Sequence, residues 1–346
     1  MSSRPAFQIG SARIPPGSQR TVELPVSMFS DHTPVTMSVQ VVHGRAPGPT
    51  LFVSAAIHGD EIIGVEIARR LLRSPQLDRI SGTLLVVPIV NTFGFLNQSR
   101  YLPDRRDLNR SFPGSEKGSL AGRLAHIFMT EIVARADLGI DLHSAAIHRE
   151  NMPQIRVSPG RTETMGYADA FGAPVVIRSK LRDGSLRKEA QRQGVDILLY
   201  EAGEGLRFDE QSARVGMAGI LRVMHALGMI PEDGVPLAEA VPVKAAETSW
   251  ERAPAGGLLR GFKAIGEMVE RDELLAMISD PFGEIEEEIR ASSAGLIIGR
   301  TNLPVVNEGD ALFHIAEISA DAAEERIESL TTQLDGAAMF DEDEII

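Results

Sequence analysis

Leu51-Phe52-Val53-Ser54-Ala55-Ala56-Ile57-His58-Gly59-Asp60-Glu61 decides the fold of this chain. Seven residues dominated by apolar side chains run straight into a polar knot. The run is too short for a core helix and has the length and composition of a strand buried on both faces, which is how strands of a covered parallel sheet read. A helical pattern follows near Ile62–Leu72. The chain then repeats the theme. Thr83–Val90, Leu138–Leu142, Ile155–Ser158, Val175–Ile177 and Asp196–Tyr200 are strand candidates, and helical patterns lie near Leu120–Arg135, Leu186–Gln193 and Glu210–Leu227. Strands alternating with helices predict a largely parallel sheet covered on both faces. Ahead of it, Thr21–Val26 and Val35–Val42 are rich in β-branched residues and bounded by Pro and Gly, giving a β-rich opening over residues 1–48.

In sheets of this kind ligands bind outside the carboxyl ends of the strands, so the residues just after each apolar run matter most. His58 and Glu61 stand three apart at a strand-to-helix junction, with Gly59 between them to allow a sharp turn. Such a pair can face one metal ion, although a polar loop with a histidine in it has the same appearance. Asp141-Leu142-His143 ends another apolar run. A histidine there can be a satisfied core residue; beside His58 and Glu61 it becomes the distant third ligand of a catalytic zinc site with one position left for water. Asp141 either orients a ligand or caps a neighbouring loop. The chain has no cysteine, so a zinc site must use histidine and carboxylate.

Between these two elements lies Arg100-Tyr101-Leu102-Pro103-Asp104-Arg105-Arg106-Asp107-Leu108-Asn109-Arg110. Arginine presents a planar fork that pairs with a carboxylate through two bonds. A hydrolase of acylated amino acids needs one cation for the substrate carboxylate and another donor for the oxyanion. Arg105 is the member of the group most readily left to solvent. Tyr200-Glu201-Ala202-Gly203-Glu204 ends the last β-rich run. Glu201 there suits a general base, or a surface glutamate that starts a turn; Glu204 lies further into the loop.

His58-Gly59-Asp60-Glu61, Asn91 with Gly94-Phe95, Arg100-Tyr101, Asp107-Leu108-Asn109-Arg110, Asp141-Leu142-His143 and Glu201-Ala202-Gly203, in this order, resemble the succinylglutamate desuccinylase/aspartoacylase family of the zinc carboxypeptidase superfamily. The resemblance runs from about residue 48 to 230. It implies a zinc-carboxypeptidase-like α/β fold, a mixed, largely parallel sheet flanked by helices. It implies one Zn2+ on His58, Glu61 and His143, with Glu201 as general base and proton carrier. Asn109 and Arg110 resemble the family's substrate-binding pair and Arg100 its carbonyl-polarising arginine. The spacing before Asp107 varies within the family, so Arg106 is the alternative to Arg100. Arg187, in Ser185-Leu186-Arg187, is a further candidate for binding a carboxylate. Where the family commonly has Asn-Pro, this chain has Asn91-Thr92.

From about Pro242 the texture changes to Gly-, Val- and Ile-rich sequence. Ala253–Gly261 falls on Ala291–Gly299 when the chain is shifted by 38 residues, and Glu270, Asp272 and Leu274 fall on Glu308, Asp310 and Leu312. Two like β-units at one offset resemble the barrel-sandwich fold of lipoyl and biotinyl domains. The segment between them, 280–290, holds no lysine, which points to a structural or oligomerising appendage, not a carrier of a swinging arm. The expected organisation is a hydrolase domain over 1–240, an all-β barrel-sandwich-like domain over 241–320, and an acidic tail over 321–346 with a helix near Ala322–Leu334.

The chain carries 35 basic and 48 acidic residues, a net charge of −13. That argues against nucleic acid, which demands clustered cations. No apolar run is long enough to span a bilayer. Residues Met1–Gly10 lack the pattern of a secretory signal, so the expected location is the cytoplasm. The expected activity is zinc-dependent hydrolysis of the amide of an N-acyl amino acid or a related small N-acylated amine, the partner being a small molecule with a carboxylate. A metallocarboxypeptidase acting on short peptides and a non-catalytic zinc binder are the competing readings. A homo-oligomer formed through the C-terminal β-domain is also expected.

Overall fold

The computed structural model describes residues 4–159, 161–238 and 241–318. The acidic tail and its expected helix lie outside the described residues. Four parallel strands form the centre of the molecule, in the order Ser81–Val87, Ala46–Ala55, Leu138–His143, Asp196–Gly203. Antiparallel strands extend both sides. Pro34–His43 and then Ser18–Met28 lie beyond Ser81–Val87. Arg149–Val157 returns antiparallel beside Asp196–Gly203 and then pairs in parallel with Val175–Arg178. The whole is a mixed α/β sheet with helices on both faces.

Side-chain parity shows why the apolar runs become strands of this kind. Leu51, Val53 and Ala55 pack into one core with the helices Ile63–Leu72, Thr162–Phe171 and Glu210–Ala226, whereas Phe52 enters a second core with Leu120–Glu131. Leu138, Ile140 and Leu142 share the first core, and so do Leu198, Tyr200 and Ala202. Successive side chains alternate between faces, so Ser54, Asp141, His143 and Glu201 all emerge on the Phe52 side. Each fully buried aliphatic side chain contributes about 1.5–3 kcal/mol, and a one-residue slip would send every one of these polar groups into the opposite core. The hydrophobic pattern thus fixes the face on which the chemistry appears. The helix Thr162–Phe171 is absent from the sequence expectation. Its buried residues are only Thr164, Ala168 and Phe171, and Gly166 weakens its intrinsic propensity.

The repeat after Pro242 is realised strand for strand. Thr248–Arg252, Gly257–Gly261, Met268–Val269 and Leu274–Ser279 recur, with starts within one residue of that offset, as Glu286–Arg290, Gly295–Thr301, Val305–Val306 and Ala311–Glu317. The two copies exchange strands: Thr248–Arg252 pairs with Ala311–Glu317 of the second copy, and Glu286–Arg290 with Leu274–Ser279 of the first. An antiparallel β-unit with its own core results. Its sheet is continuous with the central one, because Gly295–Thr301 pairs with the start of Arg149–Val157. Val243–Ala245 also joins the central sheet, parallel to Val175–Arg178. Among the described residues no helix is long and apolar enough to cross a membrane.

Candidate active site

The chain turns sharply after Ala46–Ala55, with Ala56 in the left-handed region at φ 52°, and presents His58 and Glu61 at the carboxyl end of the strand. Gly59 is required there: a Cβ on it would lie 1.9 Å from the backbone carbon of Gly94. Asn91 holds the opposing turn by accepting a hydrogen bond from the Gly94 amide at 2.9 Å, and the Gly59 amide donates to the Ser99 carbonyl at 3.1 Å. His58-Gly59, Asn91 and Gly94 are therefore one structural device that brings Arg100 to the site.

His58, Glu61 and His143 converge and are buried, with a ligand atom from each within 4.8 Å of the others. The Nδ1 atoms of His58 and His143 both lie 2.6 Å from the Glu61 carboxylate, one on each oxygen. The Nε2 atoms are already engaged: that of His143 lies 2.7 Å from Asp141 Oδ2, and that of His58 lies 3.1 Å from Asp107 Oδ1. Asp141 in turn accepts from Ser54 Oγ at 2.8 Å. Each imidazole thus has its far nitrogen held by a carboxylate and its near nitrogen aimed into the cluster, the arrangement that orients histidine for a metal. Two nitrogens and a carboxylate fit zinc with a position to spare.

The electrostatics follow from this packing. Burial alone would push the imidazoles down, but Glu61 with Asp107 raises His58, and Asp141 with Glu61 raises His143. Burial would push Glu61 up, yet the two imidazoles hold it well below the usual carboxylate range. Asp107 is likewise held low by His58 and Arg100 against its own burial. Such mutual dependence marks a cluster of charges that has lost water and found partners.

Glu201 lies in register with His143 on the adjacent parallel strand. Its Oε2 accepts from Asn151 Nδ2 at 2.8 Å and pairs with Arg156 Nη2 at 2.9 Å. Both contacts fall on the same oxygen, and Oε1 is left for another donor. Arg100 contacts Glu61 Oε1 at 3.1 Å and Asp107 Oδ2 at 3.1 Å; its burial lowers its pKa, and these carboxylates more than restore it.

A cavity of about 350 Å³ opens over these groups. His58, Glu61, His143, Glu201, Arg100, Asn109, Arg110 and Arg187 all line it. Asn109 Oδ1 accepts from the Leu186 amide at 2.9 Å and the Phe112 amide donates to the Gly184 carbonyl at 3.0 Å, so the Asn109–Arg110 loop and the 182–187 loop form one wall. Arg187 gives Nη2 to Ser179 Oγ at 2.9 Å, while its Nη1 is buried without a partner; burial, then the neighbouring Arg156, push it down to about 10. Arg106 does not line the cavity. It is exposed and faces Asp104 at 3.6 Å. Arg105 is exposed too, and Glu204 turns away to the His148 amide at 2.9 Å and Asn302 at 3.1 Å.

The lining also contains Arg149, Arg156, Arg182, Asn151, Trp250 and Arg252, none of which the sequence singled out. Arg149, Asn151 and Arg156 come from the antiparallel return beside the Glu201 strand, and Trp250 and Arg252 come from the C-terminal β-unit. Trp250 stacks on His314 at 4.3 Å and 8°, with the Arg149 guanidinium 5.9 Å from the ring centre. The one legible signal was that Trp250 is the chain's single tryptophan and sits in a strand pattern near arginine.

The profile of the succinylglutamate desuccinylase/aspartoacylase catalytic domain matches residues 47–227, a stretch that holds His58, Glu61, Arg100, Asn109, Arg110, His143, Arg187 and Glu201. The chain belongs to this family. N-alpha-acetyl-L-2,4-diaminobutyric acid deacetylase of Halomonas elongata is 27% identical over 309 residues, covering 86% of this chain and 90% of that protein. A succinylglutamate desuccinylase/aspartoacylase from Rhodobacter sphaeroides superposes with a TM-score of 0.78 at 25% identity, over 88% of this chain and 96% of that one. The product-bound ectoine utilization protein EutE (DoeB) from Ruegeria pomeroyi gives a TM-score of 0.80 at 24% identity, over 91% and 99%. These matches extend well past residue 227, so the family fold here includes most of the C-terminal β-unit. The Halomonas elongata relative is by name a deacetylase of an N-acetylated amino acid, and the Rhodobacter sphaeroides protein carries the desuccinylase/aspartoacylase name.

Proposed function

We propose that this protein is a zinc-dependent deacylase with a zinc-carboxypeptidase-like catalytic fold, which hydrolyses the amide of an N-acyl amino acid carrying a free carboxylate. The observation that carries the reading is the pairing of two carboxylate-oriented imidazoles and Glu61 with Glu201 one strand away, which lines the same cavity and has Oε2 held by Asn151 and Arg156. Zinc held by His58, Glu61 and His143 would supply a Lewis acid and lower the pKa of water to near neutrality.

The chain's own groups supply the rest. Glu201 Oε1 accepts a proton from the attacking water and delivers it to the nitrogen of the leaving amine. Arg156 and Asn151 hold Oε2 throughout, so one carboxylate oxygen stays on the reaction side. Arg100 lends its guanidinium to the acyl carbonyl as the oxyanion develops. Asn109 and Arg110 hold the substrate carboxylate, with Arg187 on the same wall. The cavity volume and the wall formed by Trp250 and Arg252 support a small substrate over a long peptide.

The test is a screen of the zinc-loaded protein against N-acetyl and N-succinyl amino acids and short peptides, with metal content measured in parallel. Turnover confined to peptides would overturn the deacylase reading in favour of a carboxypeptidase. On an active substrate, Arg110→Ala should raise KM for the free acid far more than for its amide, whereas Arg100→Ala should lower kcat for both.

A further inference from the structure

Two irregularities in the sheet meet beside Glu201. On Arg149–Val157, Gln154 faces Glu201 and Asn151 faces Gly203, so Met152 and Pro153 together stand opposite Ala202. The extra residue makes a β-bulge, which reverses the side-chain parity of what precedes it. Asn151 thereby comes onto the face of Gln154 and Glu201 instead of the opposite one, and its Nδ2 donates to Glu201 Oε2 at 2.8 Å. The second irregularity lies on the next strand, Gly295–Thr301 of the C-terminal β-unit. Ile297 pairs with Ile315 but Gly299 with His314, which leaves Ile298 as an extra residue. On its other edge Gly299 pairs with Asn151.

The backbone of Gly299 does not have a positive φ, so it would accept a side chain. What excludes one is Asn151. A Cβ on Gly299 would lie 2.6 Å from Asn151 Oδ1, with the Glu150 carbonyl oxygen at 3.2 Å and His314 Cβ at 3.4 Å. The 38-residue repeat supplies the comparison. Gly261 holds the same place in the first copy, and among the described residues a Cβ there would meet only Phe313 Cζ, at an ordinary 3.7 Å. One glycine of the pair is thus pressed against a side chain that serves the site, and the other is not.

The amide group of Asn151 ties the two contacts together. Asn151 is buried, and its Nδ2 points at Glu201 while its Oδ1 points at Gly299. A flipped amide would set a carbonyl oxygen against the carboxylate. The other partner of Glu201 Oε2 is Arg156 Nη2, at 2.9 Å. Two anchors on one oxygen fix the carboxylate, and loss of either leaves it free to swing. We infer that Gly299 is a positioning residue for Glu201: by lacking a side chain it seats the Asn151 amide, and that amide fixes the carboxylate. The inference rests on the deacylase reading, in which Glu201 carries the proton. It adds a residue of the C-terminal β-unit that acts on the chemical step without touching the substrate.

Gly299→Ala, Asn151→Ala, the double variant and Gly261→Ala are compared as zinc-loaded full-length protein, on the N-acetyl or N-succinyl amino acid that the wild type hydrolyses. Gly299→Ala and Asn151→Ala should each lower kcat about tenfold, on the order of one charge-assisted hydrogen bond, and leave KM and zinc content unchanged. The double variant should be no slower than Asn151→Ala, because both changes remove the same interaction. Gly261→Ala should match the wild type. Side-chain amide NMR reads the geometry without turnover. The Asn151 amide signal, identified by its loss in Asn151→Ala, should shift in Gly299→Ala and in Glu201→Gln but not in Gly261→Ala. If Gly299→Ala does not fold, the double variant decides, since it lacks the side chain that the new Cβ would strike; it should fold and turn over as Asn151→Ala does. Wild-type kcat in Gly299→Ala, a loss that adds to that of Asn151→Ala, an unmoved Asn151 signal, or a change confined to KM would overturn the inference. Failure of the deacylase reading shows separately, as absent zinc or absent hydrolysis by the wild type across the acyl amino acid panel while the Asn151 signal still responds to Gly299→Ala and Glu201→Gln.

Discussion

Asp141 offers a measurement in which the geometry sets the size of the effect. It is fully buried, and its two oxygens are divided between His143 Nε2 at 2.7 Å and Ser54 Oγ at 2.8 Å. Asp141→Asn keeps the shape and keeps one acceptor, but turns a charge-assisted bond into a neutral one. Bonds to charged groups contribute about 1.5–3 kcal/mol and neutral ones about 0.5–1.5 kcal/mol. The loss is then about 1–1.5 kcal/mol, or roughly tenfold in zinc affinity. Asp141→Ala removes both acceptors, strands the imidazole N–H and the serine hydroxyl, and should cost nearer a hundredfold, the upper end for such orienting groups. It should also lower the Tm of the metal-free protein, which Asp141→Asn should do far less. Zinc affinity is read by competition with a chelator of known strength, and circular dichroism checks the fold. If Asp141→Asn binds zinc as the wild type does, with a native spectrum, then Asp141 does not orient His143 for a metal and the proposed ligand set loses its support.

Three further outcomes are expected. Glu201→Gln should retain zinc and Tm but lose about 10²–10⁴-fold in kcat; near wild-type turnover would place the base elsewhere. Gly59→Ala should destabilise by about 1–3 kcal/mol through overpacking, since its Cβ meets the Gly94 backbone at 1.9 Å, and denaturant unfolding together with zinc content measures both consequences. His314, pushed down to about 3 by burial and then by Arg156, should stay neutral in the folded state where the unfolded chain takes up a proton. Its contribution is therefore present above about pH 6.5 and lost as pH falls towards 3, at up to about 1.4 kcal/mol per pH unit. His314→Phe, which keeps an aromatic partner for Trp250, should flatten the wild-type decline in stability over that window; an unchanged slope would show that His314 is not its source.

The parallel centre and the convergence of His58, Glu61 and His143 could be read from the sequence because each depends on local order. The strand over 51–57 needs only its own apolar residues, and His58, Glu61 and His143 each sit at the end of such a run. The Gly59–Gly94 contact was visible only as motif letters, yet it has a plain steric cause. Asp141 was undecided between two roles, because choosing between them requires knowing that Ser54 stands on the neighbouring strand with the same parity. Arg106 and Arg100 could not be separated by spacing either. What separates them is that Arg100 follows Ser99, which is pinned to Gly59, whereas Arg106 pairs with Asp104 at the surface.

The arginine-rich wall beyond Glu201 depends on two long-range events that leave no local signature. The first is the antiparallel return of Arg149–Val157 beside Asp196–Gly203, which carries Arg156 and Asn151 onto Glu201. The second is the strand exchange within the 38-residue repeat, which places Thr248–Arg252 against Ala311–Glu317 and so sets Trp250 on His314. The repeat itself was legible, and taken alone it suggests an appendage with its own core. That reading omits Gly295–Thr301, whose far edge continues the catalytic sheet through Arg149, Glu150 and Asn151. An appendage joined by such a ladder cannot move independently of the Glu201 strand without breaking its hydrogen bonds, so the β-unit holds Trp250 and Arg252 in fixed relation to Glu201 and the His58–Glu61–His143 cluster. The far wall of the cavity and the proposed proton carrier Glu201 thereby belong to one continuous sheet.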